Sequence, residues 1–183
     1  MSHAGRLLVA TPVLTDPHFV KTVILLIAHE EDGALGVVLN RASDVPVWGV
    51  LPEWAALAGE PQAVFTGGPV APEAAICLAR VRRGAHPDGW APIDDGRVGT
   101  VDLAGSPDDL GPHVERLRVF VGYAGWGAEQ LDAEIADGAW FVLEALSGDA
   151  FVEQPETLWP TVLRRQGGMM AAVATYPPDP SLN

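Results

Sequence analysis

The chain has 183 residues, 48% of them hydrophobic and 19% charged, a composition typical of a globular domain and not of a disordered segment. Asp and Glu number 24 against 11 Lys and Arg, and the net charge of −13 disfavours general nucleic-acid binding, which depends on Lys and Arg contacts to phosphates. Cys77 is the only cysteine, which excludes an internal disulfide, and the longest apolar run is far shorter than the about 20 residues of a membrane span. We therefore expect a single cytoplasmic domain over residues 1–183 with no membrane segment.

The first elements form a predicted β-hairpin. Residues 7–10 are apolar and predict a short strand. Residues 21–29 are apolar and rich in β-branched side chains, which predicts a central strand covered on both faces. The polar turn 30–33 ends in an Asp-Gly step, and the apolar run 34–39 follows it. Two apolar runs joined by such a turn indicate an antiparallel hairpin.

The middle of the chain mixes helices, strands and a long connection. Residues 45–58 carry apolar side chains at helical spacing, interrupted near a proline, which predicts one or two short helices. Strands are predicted at 62–66 and 74–81. Residues 84–113 are rich in Gly, Pro and Asp and predict a long excursion with one short strand at 98–103.

The last third returns to regular structure. A strand is predicted at 116–123, a helix at 127–137, a strand at 139–146 and a helix at 157–165, while the tail 177–183 is predicted to fray. Strands and helices are intermixed without strict alternation. The sequence therefore predicts an α+β fold: one domain with a mixed, largely antiparallel β-sheet flanked by helices.

Several motifs, taken in order, resemble the YqgE/AlgH family of bacterial proteins. The match runs from about residue 5 to residue 165. The resemblance implies a single α/β domain with a mixed sheet, and it carries over no catalytic residue and no cofactor. One branch of the family is labelled a transcriptional regulator, a label that the charge of this chain disfavours. The matching runs are 5–12, 16–19, 36–41, 67–70, the specific Gly-Tyr-Ala-Gly-Trp-Gly run within 119–127, Gln130-Leu131 with Glu134, and 138–140.

The predicted junction between strand and helix near residue 125 is the best candidate for a functional surface. Tyr123 and Trp126 offer aromatic surface between glycines, and Gln130 and Glu134 lie one turn apart on the predicted helix. We add Asn40, at the end of the hairpin, to this ligand or partner surface, although it can also cap a turn. The alternative interpretation is tight packing of strand against helix, with a solvated helix face.

Other motifs give no site. A metalloprotease motif starting at His29 fails because position 33 is glycine, and a metal there would need ligands such as His18 or Asp16, so no metal ligand is predicted. The turn 67–69 lacks the lysine of a phosphate-binding loop and favours a rigid turn, so no cofactor is predicted. No nucleophile motif is present and Cys77 lies in an apolar strand, so no catalytic residue is predicted.

Three functional hypotheses follow from these observations. The first is a non-enzymatic binding or interaction module that acts through another protein. The second is an enzyme of unrecognised type acting on a small molecule near Tyr123 and Trp126, with Glu134, His29 or Asp16 as acid or base. The third is a DNA-binding transcriptional regulator. The charge and the motifs favour the first, with no direct nucleic-acid or membrane contact, and they leave the oligomeric state open.

Overall fold

The computed structural model describes residues 2–93 and 96–176, and over these residues the chain forms a curled sheet with several short helices. The predicted tail 177–183 lies outside the described residues. The strands are β1 (Arg6–Ala10), β2 (Val23–Glu30), β3 (Gly33–Val38), β4 (Ala42–Pro46), β5 (Ala63–Thr66), β6 (Val70–Val81), β7 (Trp90–Pro92), β8 (Val98–Val101), β9 (Val114–Gly127) and β10 (Trp140–Glu144).

The described helices are short, with at most seven residues each, so the sheet dominates the fold more than the sequence predicts. The α-helices are α1 (Val47–Val50), α2 (Pro107–Leu110), α3 (Gln130–Ala136), α4 (Leu158–Arg164) and α5 (Gly168–Val173). The segments of 3-10 helix are Pro52–Leu57, Gly111–His113, Asp149–Phe151 and Pro155–Thr157. None of the helices in the described part of the chain is both long and apolar enough to cross a lipid bilayer.

All ten strands belong to one hydrogen-bonded sheet. Its main path runs β10–β1–β2–β3–β9–β6–β8–β7, and β4 joins through β5, which pairs with β9. The β5–β9 pair is parallel, whereas the other described strand pairs are antiparallel. This arrangement confirms the predicted mixed, largely antiparallel sheet and the α+β class.

The predicted hairpin is confirmed and is covered on both faces. Strands β2 and β3 pair from Ile24↔Val38 to Glu30↔Gly33. Val23 and Leu25 are buried in one hydrophobic cluster, and Ile24 and Leu26 are buried in another. Successive side chains of a strand point to opposite faces, so both faces of β2 contact apolar partners. A continuous apolar run is the sequence signature of such a strand.

Strand β9 connects the two halves of the sheet. Its first part, Val114 to Val121, pairs with β6 on one edge, and β5 pairs with it on the other at Phe120 and Val121. Its last part, Ala124 to Gly127, pairs with β3. One 14-residue strand therefore carries the contacts between the hairpin half and the β6–β8 half.

Arg118 is the largest side chain fully buried in the core, with 1% of its surface exposed. Its Nη1 atom donates to the carbonyl oxygens of Ala150 and Val152 at 3.2 and 3.0 Å, and Nη2 donates to that of Glu60 at 2.6 Å. The guanidinium also lies 4.2 Å from the centroid of the Phe65 ring. Among the described residues no carboxylate forms an ion pair with it. Burial lowers the pKa of Arg118 to about 10, so the side chain remains charged at neutral pH.

Several elements differ from the sequence prediction. Strand β4 is present although its residues Ala42–Pro46 are largely exposed and lack an apolar run, because β5 supplies its backbone partners. Strand β7 forms in the same way against β8, inside the region predicted as a loop. Strand β6 begins at Val70, four residues before the predicted start at residue 74, since Val70 pairs with Tyr123. These differences arise from pairing between distant segments, which local composition does not encode.

Candidate functional site

The run Gly-Tyr-Ala-Gly-Trp-Gly lies inside strand β9 and is not a loop that leads into a helix. The strand continues to Gly127, whereas the sequence predicted its end at residue 123. The helix predicted from residue 127 begins only at Gln130. The reason is the antiparallel pairing of Ala124–Gly127 with β3, which the local glycine content does not predict. The turn between strand and helix contains Glu129, whose φ of 61° is left-handed.

Tyr123 and Trp126 lie on opposite faces of β9. Tyr123 is partly buried and packs against the cluster that contains Phe120, whereas Trp126 is buried in the cluster that contains Leu131. Only 7% of the Trp126 surface is exposed. Other residues of the protein therefore cover most of the Trp126 indole. A ligand at this place would mainly contact the neighbouring residues and not this ring.

Glu134 holds two buried indoles in place. Its Oε2 atom accepts hydrogen bonds from Nε1 of Trp126 and from Nε1 of Trp140, both at 2.9 Å. The two rings meet edge to face, with centroids 6.1 Å apart. The other carboxylate oxygen, Oε1, accepts from Nε2 of Gln130 at 3.0 Å. Trp140, 3% exposed, was not singled out from the sequence, although an indole at the start of the next strand is a candidate partner for an acidic residue on the helix before it.

Gln130 closes the start of helix α3. Its side-chain Oε1 accepts the backbone N–H of Gly127 at 3.0 Å, while its Nε2 donates to Glu134. Trp126, Gln130 and Glu134 therefore form one connected network, and the structure brings these three predicted residues together. The network fixes the helix against the end of β9.

Asn40 lies apart from this network. Trp126 pairs with Ala34 at the beginning of β3, while Asn40 follows the end of that strand. The Asn40 side chain accepts from the backbone N–H of Val23 and donates to the carbonyl of Lys21, both at 2.9 Å. Asn40 thus closes the entry to β2, in keeping with the predicted capping role.

An open groove of about 540 Å³ lies beside the last part of β9. Among the residues that line it are Glu30, Asp32, Gly33, Val70, Tyr123 and Gly125, and we call it the β9-edge groove. Gly125 is exposed, and a Cβ atom added there would lie 3.3 Å from Cε2 of Tyr123. Because Gly125 has no side chain, space remains beside the Tyr123 ring. The edge of β9 and this aromatic ring therefore both border the groove.

The Gly67-Gly68-Pro69 turn packs closely against the backbone of β9. A Cβ atom at Gly68 would lie 2.2 Å from the carbonyl oxygen of Tyr123, and one at Gly122 would lie 2.4 Å from that of Gly68. Both glycines have positive φ, 154° and 69°. Close backbone contact accounts for these glycines, in line with the rigid turn predicted from the sequence.

Cys77 is expected to be unreactive in the folded protein. The residue is 1% exposed in strand β6, and burial raises the pKa of its thiol well above the ordinary value. The thiolate is the form that iodoacetamide alkylates. Native protein should therefore not be alkylated at pH 7.5 over about an hour, whereas protein unfolded in urea should be alkylated once per chain. Mass spectrometry measures both results. Rapid alkylation of the native protein would show that β6 opens or that the thiol is exposed.

Comparison with known proteins places the chain in a family. A family model described as AlgH-like matches residues 7–171. A UPF0301 protein of Streptomyces coelicolor is 53% identical over 186 residues, covering 100% of this chain and 96% of the relative. A UPF0301 protein of Mycobacterium leprae is 48% identical over 182 residues, covering 98% of this chain and 90% of the relative.

Two solved structures share the fold. A crystal structure of a Corynebacterium diphtheriae protein has a TM-score of 0.87 and 34% sequence identity, covering 94% of this chain and 91% of that one. The solution structure of the AlgH protein from Pseudomonas aeruginosa has a TM-score of 0.68 and 27% identity, covering 96% of this chain and 94% of that one. The chain therefore belongs to the AlgH-like family, as the motifs from Gly5 to Arg165 indicated.

Proposed function

We propose that this protein is a non-enzymatic binding module that acts through a partner protein, and that an extended segment of the partner docks in the β9-edge groove. The observation that carries the proposal is the free edge of β9. Residues Ala124–Gly127 pair with β3 on one side, and the described residues place no strand on the other side beyond the Val70↔Tyr123 pair. An unpaired edge can accept an added strand through backbone hydrogen bonds.

The geometry of the edge supports an added strand. The N–H of Gly127 bonds to the Gln130 side chain and is not used by β3. Alternate residues of a strand direct their N–H groups to the same edge, so that of Gly125 also points away from β3. Gly125 and Gly127 are both exposed. At Gly125, whose N–H is not the one bound by Gln130, the strand itself presents no side chain to obstruct a partner backbone.

The surroundings of the groove favour a basic segment with an apolar residue. Glu30 and Asp32 are exposed and line the groove, in a chain whose net charge is −13. Val70, 38% exposed, and the partly buried ring of Tyr123 form its apolar wall. Charge complementarity therefore favours a segment rich in Lys or Arg, and the same charge disfavours nucleic acid as the direct partner.

The existing contacts of Glu134 also support binding over catalysis. An enzyme at this position would use that carboxylate as its acid or base. Both of its oxygens already accept hydrogen bonds, two from buried indoles and one from Gln130. This arrangement suits a fixed structural role in shaping the surface beside the groove.

Photocrosslinking in the producing bacterium tests this proposal. A photoreactive phenylalanine analogue at Val70, beside the groove, should capture one protein, whereas the same analogue at Trp48, 66% exposed on α1, should not capture it. The captured protein, once purified, should bind the unmodified chain, and Gly125→Pro should weaken binding at least about 10-fold by removing the outward N–H. Binding should also weaken as salt rises.

Two results would contradict the proposal. Capture of the same protein from Trp48 alone would place the interface on α1. Unchanged affinity of Gly125→Pro, with a circular dichroism spectrum like that of the unmodified protein, would exclude strand addition at β9.

A further inference from the structure

Two histidines and one aspartate meet beside the tip of the β2–β3 hairpin. His3 comes from the segment before β1, His29 from the end of β2, and Asp132 from the first turn of α3. One potential ligand atom from each side chain lies within 4.8 Å of the other two. The imidazole rings of His3 and His29 are stacked, with centroids 5.4 Å apart. Three elements distant in sequence thus deliver metal-ligating groups to one place.

Specific hydrogen bonds hold the two histidines together. The backbone N–H of His3 donates to Nδ1 of His29 at 3.2 Å, and the Ser2 hydroxyl donates to the carbonyl of His29 at 3.0 Å. The N–H of Gly5 donates to the carbonyl of Leu26 at 2.9 Å. The segment before β1 therefore lies along β2, and the proximity of His3 to His29 follows from the fold.

The third ligand is placed by the network described above. Helix α3 is fixed against β9 by the contact of Gln130 with Gly127 and by that of Glu134 with Trp126. Asp132 is exposed on the first turn of that helix, and Leu131 before it is buried in the core. The buried leucine sets the orientation of the helix, and this orientation directs Asp132 toward the histidines.

The neighbourhood of the three residues favours a cation. A polar pocket of about 670 Å³ adjoins His29 and Asp132 and is also lined by Glu30, Glu31 and Glu129. The described residues that line this pocket include four carboxylates and no Lys or Arg.

We propose that His3, His29 and Asp132 bind a divalent transition-metal ion of the Zn²⁺ type. Two imidazole nitrogens and one carboxylate oxygen form a donor set that suits Zn²⁺ and its neighbours better than Mg²⁺ or Ca²⁺, which prefer oxygen ligands alone. Three protein ligands leave a fourth position for water or another ligand, and two of the three, His29 and Asp132, also line the acidic pocket.

Binding requires a defined local rearrangement. Ligands of a tetrahedral zinc ion lie roughly 3.3 Å apart, given metal–ligand bonds of about 2 Å, and the three groups lie within 4.8 Å of one another. In the metal-free protein Nδ1 of His29 accepts the His3 amide hydrogen, so the proton of its neutral ring is on Nε2. A metal ion on Nδ1 of His29 takes the lone pair that accepts this hydrogen bond. A metal ion on Nε2 moves the ring proton to Nδ1, which then cannot accept it. Metal binding therefore excludes the hydrogen bond from the His3 amide to Nδ1 of His29.

Titration of metal-stripped, untagged full-length protein with Zn²⁺ tests the site. Isothermal titration calorimetry should show one ion per chain, and His29→Ala or Asp132→Asn should each weaken binding at least about 10-fold, as loss of a metal ligand does. His113→Ala, which removes an exposed histidine directly before the start of β9, is the matched control and should bind like the unmodified protein. Co²⁺ in place of Zn²⁺ should give the intense visible absorption of a four-coordinate ion, and His29→Ala should abolish it.

Amide resonances provide a readout that does not depend on affinity. The His3 amide resonance should shift on addition of Zn²⁺ because its hydrogen bond to His29 is lost, and that of Arg118 in the core should not. Absence of Zn²⁺ binding at about millimolar concentration would overturn the proposal, since three-ligand protein sites bind more tightly than that. Binding that survives both His3→Ala and His29→Ala would overturn it equally, because it would locate the ion elsewhere.

Discussion

Arg118→Ala is expected to lower the free energy of unfolding by about 3 to 5 kcal/mol, the largest effect of any single substitution proposed for this chain. The guanidinium donates to three carbonyl oxygens, those of Glu60, Ala150 and Val152. Alanine leaves these acceptors without their donor and leaves a cavity beside Phe65. Urea unfolding followed by circular dichroism measures the loss.

Two further variants separate the causes of that loss. Arg118→Met fills most of the volume without donating a hydrogen bond, and it should cost about 2 kcal/mol. Arg116→Ala, an exposed arginine two residues earlier on β9, should change stability by less than about 0.5 kcal/mol. If Arg118→Met is as stable as the unmodified protein, the cost of burying the charge cancels the three hydrogen bonds, and the prediction is wrong.

Glu134→Ala is expected to destabilise the protein by about 2 to 4 kcal/mol, because it leaves two buried indole N–H groups without an acceptor. Trp126 and Trp140 are 7% and 3% exposed, so water cannot readily replace the carboxylate. The same change releases Gln130 from its contact at 3.0 Å and loosens the start of α3. Urea unfolding gives the free energy, and tryptophan fluorescence reports the altered environment of the indoles.

Two controls on the same helix define what the carboxylate contributes. Glu134→Gln keeps an oxygen that can accept from both indoles but directs an amide toward Nε2 of Gln130, so it should cost only about 1 kcal/mol. Asp137→Ala removes an exposed acid at the end of α3 and should have an effect within about 0.5 kcal/mol. A Glu134→Ala variant no less stable than Asp137→Ala would show that the two indole bonds contribute nothing net.

The sequence predicted the hairpin well because its signals are local. Residues 21–39 combine apolar runs with an Asp-Gly turn, and each signal depends on neighbouring residues only. The structure confirms the pair β2 and β3. The predicted extent of β9 was shorter than observed, because its last residues are glycine-rich and become a strand only through pairing with β3. Pairing between segments about 90 residues apart is not encoded in a short window.

The sequence also predicted part of the connected network around Trp126. The spacing of Gln130 and Glu134 correctly placed them one turn apart on a helix, and a hydrogen bond links them. Their partner Trp140 lies on another strand, and only the fold brings it to Glu134. The contact of His3 with His29 also depends on the fold, because the two residues are 26 positions apart in the sequence. A single sequence shows where such tryptophan, acidic and histidine residues occur. It does not show which of them are in contact in the folded protein.

The position of β9 in chain order has a consequence for synthesis on the ribosome. Strands β3, β5 and β6 each pair with β9, which is synthesised after all three of them and ends at Gly127. Until residue 127 has been synthesised and β9 has formed, the edges of β3, β5 and β6 that pair with β9 remain unpaired. These edges can then pair with other polypeptide chains in the crowded cell. The acidic side chains Glu30, Glu31 and Asp32 at the hairpin tip provide like-charge repulsion between two such nascent chains during that interval.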